Sequence, residues 1–542
     1  MNNTQQSPLW VDHDDTRVEA SDLPESAEIA LDGVSRRTFL GVMGASAALA
    51  GVGLQGCVRK PSTAIIPYRS RPEDLIPGKA QHYATAFQEG LSVIGLLVES
   101  HEGRPTKIEG NPLHPESRGA TSATVQASVL GLYDLDRSTA PRQGDATLTW
   151  DDAWKAFDAF VLSAKAAPFA VVSGPVMSPT ERRLLGLLKN VAPNVSLFNA
   201  DLFHPAGALE AARLVSGDGA IALPNLENAK VVAAFDSDFL GREPGSVRAT
   251  KGFAARRRIT SADDPMNRLY AVEANFSITG AAADNRLRAR SADVGGLLVA
   301  LHAALVKAGV AFETTEVPSV KTTVEGKAAK FIEGLAKDLE ANKGSALVLV
   351  GHRQPAWVHA LALIINQGLG AVGPEATKPL TFYKDPAAVA QPGLAALAEA
   401  LAKGTKHVLV LGANPVHASP AGLKLAELLK AAETVHCGLH FDETASVAKL
   451  HLPLSHFLES WGDLATPRGV ASIVQPLIEP LHHTPARVEI LARMIQPGGN
   501  DMYRLVRDTW KASEAAWQTW LHDGRVADDA FPTAAREATE LK

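Results

Sequence analysis

Cysteine is nearly missing from this sequence: 542 residues hold two, Cys57 and Cys437. A cysteine-ligated iron–sulfur cubane needs several thiolates and a c-type haem needs a C-x-x-C-H attachment, so the chain is expected to carry neither. With Cys57 at the end of an apolar run, Cys437 is left without a partner for an internal disulfide. Long apolar segments are missing too, and nothing after Cys57 reads as a membrane span. The formal net charge of −6 leaves no basic footprint, which excludes nucleic acid as a partner. His101, His114, His417, His436, His440, His451 and His456 form no zinc-type spacing, so they are expected as structural or surface groups, with no metal site among them.

What is present begins with "SRRTFLGVMGASAALAGVGLQGC", Ser35 to Cys57. Arg36 and Arg37 stand in an S-R-R-x-F-L setting, a Gly- and Ala-rich apolar run follows, and Leu54-Gln55-Gly56-Cys57 closes it. That is the order of a twin-arginine (Tat) export signal with a lipobox, and the run is too short for a comfortable span. Arg36 and Arg37 are therefore expected to direct export and Cys57 to be acylated. Each buried methylene of an acyl chain contributes about 0.8 kcal/mol, so several chains anchor a protein without a span. The residues before the signal are acidic from Asp12 to Asp32 with little apolar patterning, and read as a disordered leader. Residues 1–56 are thus leader and signal.

Residues 57–145 are rich in Pro and Gly with one strand-like run, "LSVIGLLVES", and read as a small β-rich domain. An α/β alternation follows. "TLTWDDAWKAFDAFVLSAKA" is a helix with Asp151 at the acidic cap position, "FAVVSGP" a buried strand, and "SPTERRLLGLLKNV" a helix capped by Ser178. "AKVVAAFDSDFLG", "ALVLVGHRQ", "HVLVLGANP" and "TVHCGLHFDETA" repeat the strand pattern between helical stretches. Short apolar strands alternating with helices of ten or more residues predict parallel sheets covered on both faces. Two doubly wound units are expected: a discontinuous first one from 146–200 and 395–480, and a second from 201–394. The remainder, 481–542, reads as a helical tail, with one helix from Asp501 to Gly524 placing Tyr503, Val506, Trp510, Trp517 and Leu521 on one face. Packed against the body or left as a docking face for a partner, this stripe is the tail's main feature.

In doubly wound sheets ligands sit beyond the carboxyl ends of strands. Three loops fall there: Ser173-Gly174, Asp236-Ser237-Asp238 and Gly412-Ala413-Asn414-Pro415. Each suits either a phosphate at a helix N-terminus or a plain turn closing a βα unit. Asp236, Asp238 and Arg242 form the candidate for a nucleotide-like ligand.

Four phrases taken in order are more specific. "EGRPTKIEGNPLHPESRGA" (Glu102–Ala120), "LYDLDRSTAPR" (Leu132–Arg142), "LGANPVHASP" (Leu411–Pro420) and "FDETASVAKLHLPLSHFLESWGD" (Phe441–Asp463) resemble successive signatures of molybdopterin oxidoreductases of the DMSO reductase family. The stretch Phe253–Arg288 resembles the Tat-exported, molybdopterin-oxidoreductase-like subunit of alternative complex III rather than the catalytic enzymes. The resemblance implies a DMSO-reductase-like α/β fold with a small β-rich N-terminal domain and two doubly wound domains. It also implies a place in a quinol-oxidising complex of the respiratory electron-transport chain.

Departures from the catalytic pattern bear on function. "QHYATAFQEG" and Thr121-Ser122 occupy the places of the family's cluster-binding cysteines, so no cluster is expected. Where catalytic members hold molybdenum there is no cysteine, and only Ser196 or Asp201 offers an oxygen ligand. Too few residues follow Pro476 for the family's C-terminal β-barrel, which is expected to be absent. Gly412, Asn414, Pro415, Glu443 and Thr444 then read as vestigial pterin-site loops, Asp442 and Glu459 as loop architecture, and no residue as catalytic. The resemblance implies no cofactor in this chain, and partners that carry them: a ferredoxin-like iron–sulfur subunit, a multihaem cytochrome c subunit and an integral membrane quinol-oxidising subunit. The expected place is the periplasmic face of the cytoplasmic membrane, by lipid anchor. The rival expectations are a molybdopterin-dependent oxidoreductase with an oxygen ligand to the metal, and a free ligand-binding lipoprotein.

Overall fold

The computed structural model describes residues 76–527, apart from 77, 262, 263, 265, 314–317, 319, 321–323, 386–390, 499 and 500. Arg36, Arg37, Cys57 and the whole of 1–56 lie outside the described residues, which belong to a compact unit running from Leu75 to Lys542.

The first element is a three-stranded antiparallel sheet, Gln81–Glu89, Ser92–His101 and Arg104–Gly110. The last two strands meet at His101 and Arg104 across Glu102-Gly103, both left-handed (φ 53° and 80°), as a right-twisted two-residue hairpin requires. Ile94, Leu96, Val98 and Ile108 bury one face against Val125, Leu132 and Leu458.

The seven-stranded sheet has the order Ala146–Thr147, Arg142–Gln143, Leu450–Pro453, Glu433–Gly438, His407–Leu411, Phe169–Ser173 and Val195–Asn199. Its last five members are parallel. Side chains alternate: Phe169 and Val171 face the helices Trp150–Lys165, Pro179–Val191 and Arg487–Ile495, while Ala170 and Val172 face Leu394–Ala402 and Leu425–Ala431. Covered on both faces, the strand Phe169–Ser173 is buried throughout, which explains its unbroken apolar sequence. Thr149, not Asp151, caps the helix Trp150–Lys165 by accepting from Asp152 N, with both acids in the first turn. The helix Arg487–Ile495, read as part of the tail, packs in this core through Val488, Ile490 and Leu491.

A second parallel sheet has the order Asn285–Arg288, Arg268–Glu273, Val231–Phe235 and Ala346–Val350. Helices Val294–Lys307 and Gly326–Ala341 cover one face, and Ser246–Ala255 and Ala206–Ser216 the other, beside an antiparallel pair, Ala220–Pro224 with Leu380–Lys384. The expected class, α/β with several parallel sheets and a small antiparallel N-terminal sheet, is the one observed.

The tail differs from expectation. Instead of one helix there are two, Met502–Trp510 and Glu514–Asp523. Lys511 turns left-handed (φ 50°) and closes the first, and Ser513 starts the second by accepting from Ala516 N. The aromatic stripe is spent inside the molecule: Trp517 is 1% exposed and packs with Val506, Trp520, Ala465 and Ile473 of the hairpin Gly462–Ala465/Ala471–Val474. A docking role for Trp517 is thereby corrected to a core role.

Candidate functional site: a cleft at the edge of the seven-stranded sheet

Chain order reverses between the neighbouring strands Phe169–Ser173 and His407–Leu411. After the first, the next strand is Val195–Asn199 on one side; after the second, the later strands lie on the other. Their outgoing loops therefore part, and a crevice opens at this switch point. It is a cleft of about 600 Å³, lined by Gly174 and Gly412 of the two loops and by Asp201, Trp461, Asp463 and Arg487 among others.

Gly412 is left-handed (φ 64°), and a Cβ there would lie 2.5 Å from Arg487 Nη1, so a side chain would strain the turn and push the guanidinium aside. Arg487 donates through Nε and Nη2 to the two carboxylate oxygens of Glu181, each at 2.9 Å, and through Nη1 to the Leu411 carbonyl at 3.3 Å. The one guanidinium in the wall is thus paired within the chain.

Asp463 is fully buried at the back of the cleft. Its carboxylate accepts from Ser178 Oγ, from Thr180 N at 3.1 Å, from Thr180 Oγ1 at 2.5 Å and from Trp510 Nε1 at 2.8 Å. Burial pushes its pKa up, and these hydrogen bonds oppose the shift. Ser178 caps the helix Pro179–Val191, and Thr180 N belongs to the first turn, whose N–H groups have no partner within the helix. That helix N-terminus faces the crevice, where a ligand anion would be received, and the carboxylate of Asp463 occupies it.

The other loop is built from the expected residues. Asn414 donates through Nδ2 to Glu443 at 2.6 Å, while its Oδ1 accepts from Thr444 Oγ1 at 2.7 Å and from His417 N at 3.2 Å. Thr444 Oγ1 accepts from Val416 N, and Pro415 is buried at the first position of the short helix Pro415–Ala418. Gly412 and Asn414 line the cleft; Pro415, Glu443 and Thr444 stand behind them and hold the loop. Of the two oxygen-ligand candidates, Asp201 lines the cleft and accepts from Phe203 N at 2.9 Å, whereas Ser196 is exposed within its strand and takes no part.

Beneath the loop lies a histidine pair that sequence spacing did not suggest. His436 and His451, on adjacent parallel strands, stack with rings 17° apart and Nδ1 atoms 3.0 Å apart. His451 Nε2 meets Ser138 Oγ at 2.7 Å, and His436 Nε2 meets the Ala413 carbonyl at 3.3 Å. A neutral pair with one ring nitrogen donating to the other satisfies every contact. Burial pushes both pKa values down, His451 to about 3, so the pair is neutral at ordinary pH.

The second sheet's switch point is closed by its own residues at Asp236. Gly351 packs so tightly that a Cβ would sit 1.8 Å from the Asp236 carbonyl oxygen. Asp236 accepts from Ser291 Oγ at 2.6 Å and Gln354 Nε2 at 2.9 Å, and Asp238 from Thr279 N and Oγ1. Arg242 N donates to the Asp238 carbonyl, completing a turn. The carboxylates of Asp236 and Asp238 are therefore engaged in loop construction, and Arg242 takes part through its backbone N–H. Among the described residues no group of three or more His, Cys, Asp or Glu is arranged to hold a metal ion, and no helix is long and apolar enough to cross a membrane. His101 pairs with Glu99, His440 with Asp134, and His456 caps the turn Phe457–Glu459. His114 is buried, and His417 is exposed beside Glu443.

No family model matches the chain. Over 443 residues it is 27% identical to the menaquinone reductase, molybdopterin-binding-like subunit of Nitratidesulfovibrio vulgaris (strain Hildenborough), covering 75% of this chain and 63% of that relative. The chain thus spans less than two thirds of the curated relative's length. Among solved structures, acetylene hydratase from Pelobacter acetylenicus matches with a TM-score of 0.60 at 12% identity, covering 81% of this chain and 74% of the other. The fold is molybdopterin-oxidoreductase-like, as the four phrases led one to expect.

Proposed function

We propose that this chain is a non-catalytic structural subunit of a quinone-linked respiratory complex, one that keeps the ligand cleft of its fold without the cofactor. The observation that carries this is Asp463 in the helix N-terminus. The cofactor implied by the fold is a pterin bearing phosphate groups and a thiolate-bound metal, so its site needs cations, free N–H groups and a metal ligand. The charged groups of the wall are Glu181, Asp201, Asp463 and Arg487, and the single guanidinium is already engaged by Glu181. Cys437 is fully buried in the sheet and its thiol is pushed far up by burial, so it supplies no thiolate. These residues do not fit the cofactor.

The quinone link is supported by the name of the curated relative, and the quinol-oxidising direction of an alternative complex III by the sequence phrases alone. In this proposal the chain is exported through Arg36 and Arg37 and held at the periplasmic face of the membrane by lipid on Cys57. There it keeps a ferredoxin-like iron–sulfur subunit, a multihaem cytochrome c and a membrane quinol-oxidising subunit in register. Two sheets with closed cores and internally satisfied loops suit a body whose task is to hold partners still.

Elemental analysis and affinity purification of the full chain from its own membranes test this together. The expected result is no stoichiometric molybdenum, with cytochrome and iron–sulfur subunits retained. About one molybdenum per chain would replace this proposal with an enzyme in which Asp201 is the oxygen ligand. Purification without partners would favour a free lipoprotein. Mass spectrometry of the mature N-terminus reads the anchor: an acyl mass on Cys57 is expected, and its absence removes the lipid.

A further inference from the structure

A cleft of about 600 Å³ that does not fit the cofactor of its fold is still of a size that holds small molecules, about 300–1,000 Å³. Its lining is partly aromatic. Phe87 and Phe457 meet edge to face with ring centroids 5.0 Å apart, and Trp461 lines it too. Leu202 and Phe203 of the same lining are 59% and 66% exposed, so its apolar surface continues out to solvent.

Much of the polar lining is engaged within the chain. Gln88 donates through Nε2 to the Gly90 and Pro175 carbonyls, Ser455 Oγ to the Thr484 carbonyl and Ser460 Oγ to the His456 carbonyl. Glu181 offsets Arg487, and Asp463 is fully buried under its four donors. Asp201 differs. Its Oδ1 accepts from Phe203 N at 2.9 Å, while Oδ2 has no hydrogen-bond partner among the described residues. That oxygen lies toward Gly90, a neighbour in the lining, where an added Cβ would meet it at 3.4 Å.

A carboxylate oxygen left free in a part-aromatic cleft selects for positive charge. An ammonium donates to it in a charge-assisted hydrogen bond, and the faces of aromatic rings attract the same charge. An anion is repelled. A bare metal ion such as calcium wants about six oxygen ligands, and the lining supplies one free carboxylate. We propose that this cleft is a binding site for a small organic ammonium ion with an aromatic or aliphatic body, the ammonium on Asp201 Oδ2 and the body against Phe87, Phe457 and Trp461. The inference rests on the scaffold reading, because a bound pterin would fill the same space.

The test titrates the full chain, assayed for molybdenum in the same preparation, with 2-phenylethylamine and with 2-phenylethanol, its neutral counterpart, at constant ionic strength. Binding is read by thermal shift and ligand NMR. Saturable amine binding is expected, about tenfold tighter than the alcohol. Asp201→Asn keeps an acceptor for Phe203 N and should abolish that preference while leaving the alcohol within about twofold. A Cβ on Gly174, in the lining, would meet no atom within 4 Å, so Gly174→Phe has room to enter the cleft and should remove both ligands. Gly174→Leu reads the same if the larger variant does not fold. A molybdenum-free chain that binds no amine, or binds the alcohol as tightly, overturns this proposal and leaves the scaffold reading standing; so does amine binding that survives the filled cleft. About one molybdenum per chain overturns both.

Discussion

Arg137 and Glu459, 322 residues apart, form a buried two-pronged ion pair: Nη2 to Oε2 at 2.7 Å and Nη1 to Oε1 at 3.1 Å, with side chains 1% and 0% exposed. Arg137 also donates to the Leu132 carbonyl, and Glu459 accepts from His456 N and Leu481 N. Burial opposes the charge on Glu459, but Arg137 and these N–H groups hold its pKa below the usual carboxylate range. Removing one member leaves a buried charge alone, so Arg137→Met is expected to cost about 3–5 kcal/mol in a denaturant titration. Arg137→Met with Glu459→Met should recover much of that. If the double variant is as unstable as the single, the loss is one of packing rather than of an orphaned charge.

The buried histidines set the acid limit of the fold. Burial pushes His451 down to about 3 and His114, His359 and His456 to about 4, against about 6.5 in the unfolded chain. Below pH 6.5 the unfolded chain takes up protons that the native chain refuses. The stabilisation is therefore complete above about pH 6.5 and is lost as pH falls toward 4, by up to about 1.4 kcal/mol per pH unit for each group. Urea midpoints measured between pH 7 and pH 5 should fall, and His451→Gln should flatten the slope by about one proton. An unchanged slope would mean that the pair is already charged in the native state.

Trp517 serves the fold. With 1% exposure, and with the Arg507 guanidinium 4.7 Å from its ring centroid, its truncation to Ala should cost about 3–5 kcal/mol and lower the melting temperature. A pull-down in which partners are lost while the melting curve stays put would instead restore the docking role read from the helical stripe.

How far the fold was legible follows from where its information lies. The alternation of "FAVVSGP" and "HVLVLGANP" with helices is local, and it announced buried parallel strands and loops at their carboxyl ends. Asn414 with Glu443 and Thr444 came out of quoted phrases, and the structure joins them in one loop. The tail was misread because a Lys-Ala-Ser interruption weighs little against a 3.6-residue apolar period, although Lys511 and Ser513 are the residues that break it. Asp463 and the His436–His451 pair were out of reach for another reason. Each depends on contacts across strands or on a separation of hundreds of residues, which periodicity does not record.

Asp463 decides whether the cleft is merely unused or built closed. The carboxylate of Asp463 sits on the first turn of Pro179–Val191, held by four donors. Asp463→Ala removes it, leaving Thr180 N without its acceptor, at an expected cost of about 1–3 kcal/mol. The vacated helix N-terminus keeps its partial positive charge and its free N–H groups, so an added anion should regain part of the loss. Pyrophosphate at constant ionic strength is therefore expected to raise the melting temperature of Asp463→Ala and to leave that of the wild-type chain unchanged. Equal stabilisation of both would place the anion elsewhere. Stabilisation of neither would mean that the crevice lacks the means to hold a phosphate even when opened, and that Asp463 is there for the hairpin and the tail alone.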